Sequence, residues 1–351
     1  MKSQRKMKIS TLVGAMALAG AITLPTMVMA DEPTTSFSIF LRSQVELTNA
    51  SGDIAEAGAG DGWHLADGSA NGRTDTAGWS GLFFDMSHQI TEDAKAIGRY
   101  SRNFNTSGDA GNRDVWIGIQ SKRFGKLTAG RHGTPYKNST LGWDPFNATF
   151  LQARGNQGRA GTVFGSNSFL DDSINYEHSL SGIKLAAMVG IDDSKAADGD
   201  TNGNHLVSFA LTAPLGPVDF VVSYIDASEY AGRADDSTAT KLGARYSEGP
   251  FTLAAQYEMR DEGFEDGDFA FVTGSYKMGK WSHSINYGQF MDDSAANNDG
   301  DYFAIGTKYT WTRIVSVHVG YKRTERDVQG DDNVFGLGLR VGLNTGNLLA
   351  R

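Results

Sequence analysis

Apolar and polar side chains alternate along most of this chain, which is the pattern of β-strands with one apolar face and one solvent-exposed polar face. The first such segment covers residues 36–47. Its apolar positions are Phe37, Ile39, Leu41, Val45 and Leu47, and its polar positions are Ser38, Arg42, Gln44 and Glu46. The same alternation returns in segments 183–191, 250–259 and 333–343. A sustained helical period is almost absent, so the sequence predicts an all-β protein.

Sixteen segments of this kind follow one another, separated by turn residues. The predicted strands are 36–47, 79–89, 93–103, 113–122, 126–131, 171–179, 183–191, 204–213, 217–226, 238–247, 250–259, 269–278, 281–290, 301–310, 314–324 and 333–343. An even number of antiparallel strands, apolar towards lipid and polar towards a lumen, is typical of bacterial transmembrane β-barrels. A barrel of this size encloses an aqueous channel. A soluble sandwich would alternate as well, so the connections decide between the two folds.

The connections are alternately short and long, as in a barrel with one tight rim and one elaborated rim. We expect the short ones at the periplasmic end, at 124–126, 180–182, 214–217, 248–250, 278–280 and 311–313. We expect the long ones outside, at 48–78, 104–112, 192–203, 227–237, 260–268, 291–300 and 325–332. This arrangement favours the transmembrane barrel.

The two ends of the chain are interpreted separately from the barrel, which we place at 31–343. Four basic residues precede an apolar run from 9 to about 24, a combination typical of a secretory signal peptide. We expect cleavage after Ala30. An uncleaved anchor is the alternative, but the run is shorter than the roughly 20 residues of a spanning helix. Residues 344–351 form a C-terminal tail.

Charge is divided unevenly between the loops and the barrel. The net charge of −9 becomes −13 when residues 1–30, with four basic and no acidic residues, are removed. Segments 192–200, 226–236, 261–268, 292–301 and 325–332 carry 21 carboxylates and 3 basic residues, which leaves +5 on the rest. We expect an acidic mouth, which attracts cations or only keeps the loop tips solvated, and a mildly basic barrel. A nucleic-acid partner would need a basic face.

Sequence signatures of catalysis and of metal or cofactor binding are missing. The seven histidines are scattered, and the sequence has no His-x-x-x-His pair, Gly-x-Ser-x-Gly elbow, phosphate loop or calcium-loop spacing. The chain also has no cysteine, hence no disulfide scaffold. We predict a protein that is not an enzyme and that has no cofactor. A barrel lipase or protease is the alternative, and it would need a Ser/His/acid cluster in space.

Several motifs, in their order and spacing, resemble one family. They are GLFFDM at 81–86 with TEDAKA at 91–96, NRDVWIG at 112–118, FGKLTAGR at 124–131 and DSINY at 172–176. Together they resemble the Gram-negative general porins, which are trimeric sixteen-stranded diffusion channels. Two positions depart from the family: Leu343 stands where a Phe is usual, and Gly81 stands where enteric members have an Arg on the pore wall.

The resemblance implies a function and partners. It implies an outer-membrane channel in a Gram-negative bacterium for passive diffusion of small hydrophilic solutes and ions. It also implies a homotrimer in contact with outer-membrane lipid and lipopolysaccharide. A porin selective for a sugar, peptide or phosphate is the second possibility, and a structural or adhesive barrel with a plugged lumen is the third. The acidic mouth and the basic interior leave the ion preference open.

The longest connection, 132–170, corresponds to the family's third loop, which folds into the barrel and narrows it. Family constrictions set loop carboxylates against wall arginines. The resemblance and the strand parity place Arg99 and Arg113 on the wall and Arg131 at the loop base, although the parity at Arg113 is ambiguous. The expected pore-constriction residues are Arg99, Arg113, Arg131, Lys137, Asp144, Arg154 and Arg159. The alternative for each arginine is a lumen-facing charge without a selective role.

Overall fold

A computed structural model describes residues 34–53, 60–66, 80–104, 110–155, 169–191, 205–228, 230, 237–261 and 266–345. The strands in these ranges are β1 (Thr35–Ser51), β2 (Gly62–Ala66), β3 (Ser80–Gln89), β4 (Ala94–Phe104), β5 (Ala110–Ser121), β6 (Gly125–Gly133), β7 (Phe169–Leu180), β8 (Ile183–Gly190), β9 (Leu206–Leu215), β10 (Val218–Asp226), β11 (Thr238–Glu248), β12 (Phe251–Asp261), β13 (Gly267–Met278), β14 (Trp281–Asp292), β15 (Gly300–Thr312), β16 (Val315–Arg326) and β17 (Gly330–Asn344). The helix α1 (Pro135–Asn138) and a 3-10 turn (Leu141–Trp143) follow β6. No helix within the described ranges is long and apolar enough to cross a membrane.

Sixteen of these strands form one closed antiparallel barrel. Sequence neighbours pair with each other, and the barrel closes where β1 pairs with β17 on one side and β3 on the other. All sixteen strands that the alternation predicts are confirmed. The remaining strand, β2, lies in the predicted loop 48–78 and pairs with Glu46–Ala50 of β1, beyond the stretch that β3 covers. Five residues are too few for alternation to reveal a strand.

The two faces of the barrel differ as the sequence predicts. On the outer face, Ile117, Leu253 and Leu343 are 71%, 55% and 51% exposed. On the other face, Gln44 and Glu46 are buried. Because the large apolar side chains lie outside a closed barrel, they form a band for lipid and not a dry soluble core.

Four of the predicted connections need correction, and two of them are the turns expected at 214–217 and 311–313, which lie at 216–217 and 313–314. The loop expected at 325–332 is wrong, since β16 continues to Arg326 and β17 begins at Gly330. Glu325 and Asp327 are exposed there, whereas Asp332 is buried and lies 3.9 Å from the Lys322 ammonium. Gly330 turns the chain with a φ of 82°. The turn expected at 124–126 lies at 122–124. Predicted turns at 180–182, 248–250 and 278–280 fall where the structure has tight turns.

Residues 134–155, which we call the inner segment, pack against the polar face of the barrel. One apolar cluster joins Phe146, Phe150 and Leu151 of this segment to Tyr302 of β15 and Val334 of β17. A second cluster joins Tyr136 to side chains of β7 to β11. These clusters are the apolar core of the described structure, and they attach the segment to both sides of the barrel.

Candidate pore constriction

Two arginines of the polar face point at the inner segment. Arg42 of β1 and Arg340 of β17 both donate to the carbonyl oxygen of Ala148, at 3.3 and 3.1 Å. Both also donate to Oε1 of Gln44, at 2.9 and 2.7 Å. The two guanidinium groups thus share two neutral acceptors.

Neither arginine is among the pore-constriction residues expected from the sequence. Arg42 is the cross-strand partner of Gly81, so it supplies a guanidinium beside the position where the enteric porin pattern has its arginine. The parity of β1 already placed Arg42 on the wet face and could have identified it. The parity of segment 333–343 likewise places Arg340 on the polar face, but its position beside Gln44 depends on the register that closes the barrel.

Glu46 connects the wall to the inner segment next to this pair. Its side chain is 1% exposed, and Oε1 accepts from the backbone N–H of Phe150 at 3.2 Å and from Gln44 at 2.9 Å. Nε2 of His318 lies 2.7 Å from the same oxygen. This carboxylate is therefore committed to neighbouring protein groups.

Arg99 lies on the polar face of β4, where the sequence places it. It makes a bidentate ion pair with Asp85 of β3, with N···O distances of 2.6 and 2.9 Å. Its guanidinium carbon lies 5.6 Å from the ring centroids of both Phe83 and Trp116. The charge of Arg99 is thus matched by an adjacent carboxylate.

A β-bulge resolves the parity of Arg113. The register between β4 and β5 shifts at Ser101, whose hydroxyl accepts from the Asp114 N–H and donates to the Asp114 carbonyl, both at 3.0 Å. The extra residue lets Arg113 approach the ring of Phe83, a polar-face residue, at 5.8 Å. Alternation alone could not show this, because a bulge breaks the period of two.

Three predicted cations meet around the ring of Phe169. Nζ of Lys137 lies 3.7 Å from the ring centroid, and the guanidinium carbons of Arg113 and Arg131 lie at 4.9 and 5.7 Å. Arg131 also forms an ion pair with Asp171 at 2.8 Å. The structure therefore brings together three of the residues that the sequence analysis selected.

Lys137 lies in α1, which Thr134 caps by accepting from the Lys137 N–H at 3.1 Å. Its side chain is only 3% exposed. Burial, together with the positive charge of Arg154, lowers the pKa of Lys137 to about 7. Arg154 is thus close enough to act on Lys137, whereas Arg159 lies outside the described residues.

Asp144 is 3% exposed and acts within the inner segment. Oδ1 accepts from the Phe146 N–H and from Nδ2 of Asn286 in β14, and Oδ2 accepts from the Ala153 N–H, all at 2.8 Å. One carboxylate thus fixes the path of residues 144–153 and ties it to the wall. The bond between the Asp144 carboxylate and the N–H two residues later is a local turn motif that a sequence can suggest. The bond to Asn286, far along the chain, could not be predicted.

A buried network attaches the other end of the inner segment. The Tyr136 hydroxyl donates to Glu258 at 2.8 Å, and the Lys241 ammonium donates to the Tyr136 carbonyl at 3.1 Å. Lys241 and Glu258 are fully buried and lie 3.5 Å apart. Buried charges of this kind are stable when they are paired, and here the inner segment completes the pairing.

A cavity of about 800 Å³ lies on the polar face between the inner segment and the short turns. Its charged lining residues are Lys122, Lys126, Glu177, Lys184, Asp219 and Arg245. Both carboxylates are ion-paired, Glu177 with Lys126 at 3.3 Å and Asp219 with Arg245 at 2.6 Å. The polar face thus borders water-accessible space that carries more positive than negative charge.

The Ser–His pair of His132 and Ser173 is not part of a catalytic triad. Nδ1 of His132 lies 2.8 Å from the Ser173 hydroxyl, but Nε2 lies 2.9 Å from the hydroxyl of Thr128, where a triad would have a carboxylate. Within the described ranges no group of three His, Cys, Asp or Glu side chains could hold a metal ion.

Solved structures share this fold. The anion-selective porin from Comamonas acidovorans is 14% identical, with a TM-score of 0.71 over 89% of this chain and 100% of that chain. OmpF of Salmonella typhi in complex with daunomycin is 12% identical, with a TM-score of 0.67 over 88% and 97%. The trimer form of Vibrio cholerae OmpT is 17% identical, with a TM-score of 0.64 over 89% and 100%. At these identities the likeness establishes the fold alone. A search of curated proteins finds no match.

The sequence itself matches the family model of Gram-negative porins over residues 14–329. This range includes β1 to β16 and the inner segment, so the match covers both the wall and the candidate constriction. The resemblance seen in the motifs from 81 to 176 is confirmed. The chain therefore belongs to the Gram-negative porin family and is an outer-membrane channel for passive diffusion.

Proposed function

We propose that this porin is a general diffusion channel for small hydrophilic solutes and ions, and that its narrowest part favours anions. One observation carries the ion preference. The 800 Å³ cavity beside the inner segment is lined by four cations and two carboxylates, both of which are ion-paired, and Arg42 and Arg340 both donate to Gln44 and Ala148. The positive charge of the wall is therefore incompletely neutralised.

We further propose that the inner segment lies in the lumen and narrows it. Its contacts support this, because it bonds to Ser208 of β9, Ser223 of β10 and Asn286 of β14, as well as to Gln44 of β1. Contacts with strands on different sides of a closed barrel support a position inside it. In this proposal Asp144 keeps the segment in shape.

The positive charge at the constriction would come from the basic residues predicted from the sequence and from the pair Arg42 and Arg340. The cations are Arg42, Arg340, Arg99, Arg113, Arg131, Lys137, Arg154 and Arg159. Ions pass these groups at contact distance, while the acidic outer loops act across solvent with a Debye length of about 8 Å at physiological salt. The nearby cations should therefore dominate the selectivity, and the mouth should weaken it at low salt.

The proposal also includes export, oligomeric state and membrane partners. We infer an exported protein with residues 1–30 removed, a homotrimer, and outer contacts with lipid and lipopolysaccharide. The exposed apolar band supports the lipid contact, and a trimer form of Vibrio cholerae OmpT has the same fold. We propose no enzymatic activity.

Purified protein in a planar bilayer should give stepwise, ohmic conductance. A barrel that inserts but never conducts would support the plugged, structural alternative, although the 800 Å³ cavity argues against it. Saturable block of the current by one sugar, peptide or phosphate compound would instead favour a substrate-selective porin.

A further inference from the structure

A second, much smaller cavity lies under residues 145–149 of the inner segment, on the side of β14 to β17. Its volume is about 20 Å³. The side chains that line it from the wall are Lys308, Arg340, His318, Ser282, Ser284 and Ser316. Two cations and three hydroxyl groups thus surround a space of nearly atomic size.

The strand register explains why these side chains converge. Lys308 of β15 lies directly between Ser282 of β14 and His318 of β16. Ser316 of β16 lies opposite Arg340 of β17. Paired residues point to the same face of a sheet, so all five side chains face the underside of the inner segment.

Lys308 is the unusual member of this group. Among the residues that the structure describes, its ammonium has no hydrogen-bond acceptor and no carboxylate within ion-pair distance, although the side chain is half-buried. The neighbouring cation, Arg340, is bonded to the neutral Gln44 and Ala148 oxygens. The nearby carboxylate of Glu46 already accepts from Gln44 and from the Phe150 N–H.

Two cations, Lys308 and Arg340, therefore line a small space, and the neighbouring carboxylate of Glu46 is already bonded to His318, to Gln44 and to the Phe150 N–H. Bringing like charges together in a partly desolvated place costs free energy, and a bound anion offsets that cost. Serine hydroxyls are the neutral donors that such an anion needs. The cavity can hold one particle of about the size of water, which occupies roughly 10–15 Å³ by this measure.

We propose that this cavity is a binding site for a single halide ion, held by the Lys308 ammonium and the Arg340 guanidinium. Its small volume favours chloride or bromide over larger anions such as sulfate or phosphate. Residues 145–149 line the site from the side of the inner segment, and Arg340 is shared with the candidate constriction. A bound halide would stabilise the attachment of the inner segment, whichever ions the channel prefers.

Quadrupolar broadening of the ³⁵Cl NMR line tests the proposal directly. Folded protein in detergent should broaden the chloride line beyond the detergent blank, and bromide, but not gluconate, should remove the excess. Lys308→Met should abolish the bromide-sensitive excess. Lys277→Met is the matched control, because Lys277 pairs with Ser282 from the other side but does not line the cavity. It should keep the wild-type linewidth.

A second variant distinguishes the effect of the cavity volume from the effect of the positive charge at position 308. Lys308→Arg keeps the positive charge but fills the space, so it should also lose the bromide-sensitive excess. Folded barrels change their gel mobility on heating, so a variant that does not show this shift has not folded. If one Lys308 variant does not fold, the linewidth of the other Lys308 variant tests the site. An unchanged excess in a folded Lys308 variant, or displacement by gluconate as effective as by bromide, would overturn the proposal.

Discussion

A Cβ atom on Gly243 of β11 would lie 2.7 Å from Cζ3 of Trp143, so the indole of the inner segment fits against the wall only because position 243 has no side chain. The nearest backbone atom is farther away, the Ala255 carbonyl oxygen at 3.2 Å. Trp143 also contacts Val221 and Ala254 in a small apolar cluster. The missing side chain at Gly243 thus makes room for Trp143 and lets the segment that we place in the lumen pack against the wall.

The substitution Gly243→Ala should therefore overpack this contact and destabilise the protein by about 1–3 kcal/mol. In a Trp143→Ala background the same substitution should cost much less, because the clashing ring is gone. Urea unfolding into and out of lipid vesicles measures both values as a double-mutant cycle. An equal loss of unfolding free energy in the two backgrounds would show that Trp143 does not pack against Gly243.

Asp144 provides the second test, because one carboxylate accepts from the N–H groups of Phe146 and Ala153. The change Asp144→Asn leaves one of these buried donors without an acceptor, which costs about 1–3 kcal/mol. We expect larger and noisier single-channel conductance and faster proteolysis between 140 and 155. Asp293→Asn is the control, since it removes the same charge from an exposed position. Quiet, wild-type conductance in Asp144→Asn would contradict the anchoring role.

Lys137 gives a prediction for pH. Its folded-state pKa is about 7, below the ordinary 10.5, so the unfolded chain holds this proton more tightly than the folded protein does. The penalty is fully present below pH 7 and disappears as the pH rises from about 7 towards 10.5, so stability should increase across that window. The unfolding free energy of the wild type, minus that of Lys137→Met, should rise with pH. A flat or falling difference would refute the burial of a charged lysine here.

The alternation of side chains was sufficient to predict the barrel, because each strand must show apolar residues to lipid and polar residues to the lumen. Strand β12 illustrates this, because Phe251, Leu253, Tyr257 and Met259 are exposed outside while Gln256 and Glu258 are buried inside. The same rule failed where the period is broken. The bulge at Ser101 redirects Arg113, and β2 is too short to establish a period.

The candidate constriction was only partly predictable from the sequence. Arg99, Arg113, Arg131 and Lys137 were selected, and the structure brings the last three around Phe169. Arg340 was not selected, because only the β1 to β17 register reveals that it neighbours Gln44. The burial of Asp144 depends on contacts with Asn286, 142 residues away, which no local pattern encodes.

The reversal potential in a potassium chloride gradient tests the central claim most directly. The wild type should be anion-selective, and the double variant Arg42→Gln with Arg340→Gln should shift the potential towards cations. Arg323→Gln is the matched control, because Arg323 is half-exposed and paired with Glu325 at 2.7 Å near the long-loop end, and it should change the potential little. A cation-selective wild type, or a double variant with unchanged selectivity, would contradict a channel whose narrowest part is governed by the arginines around Ala148.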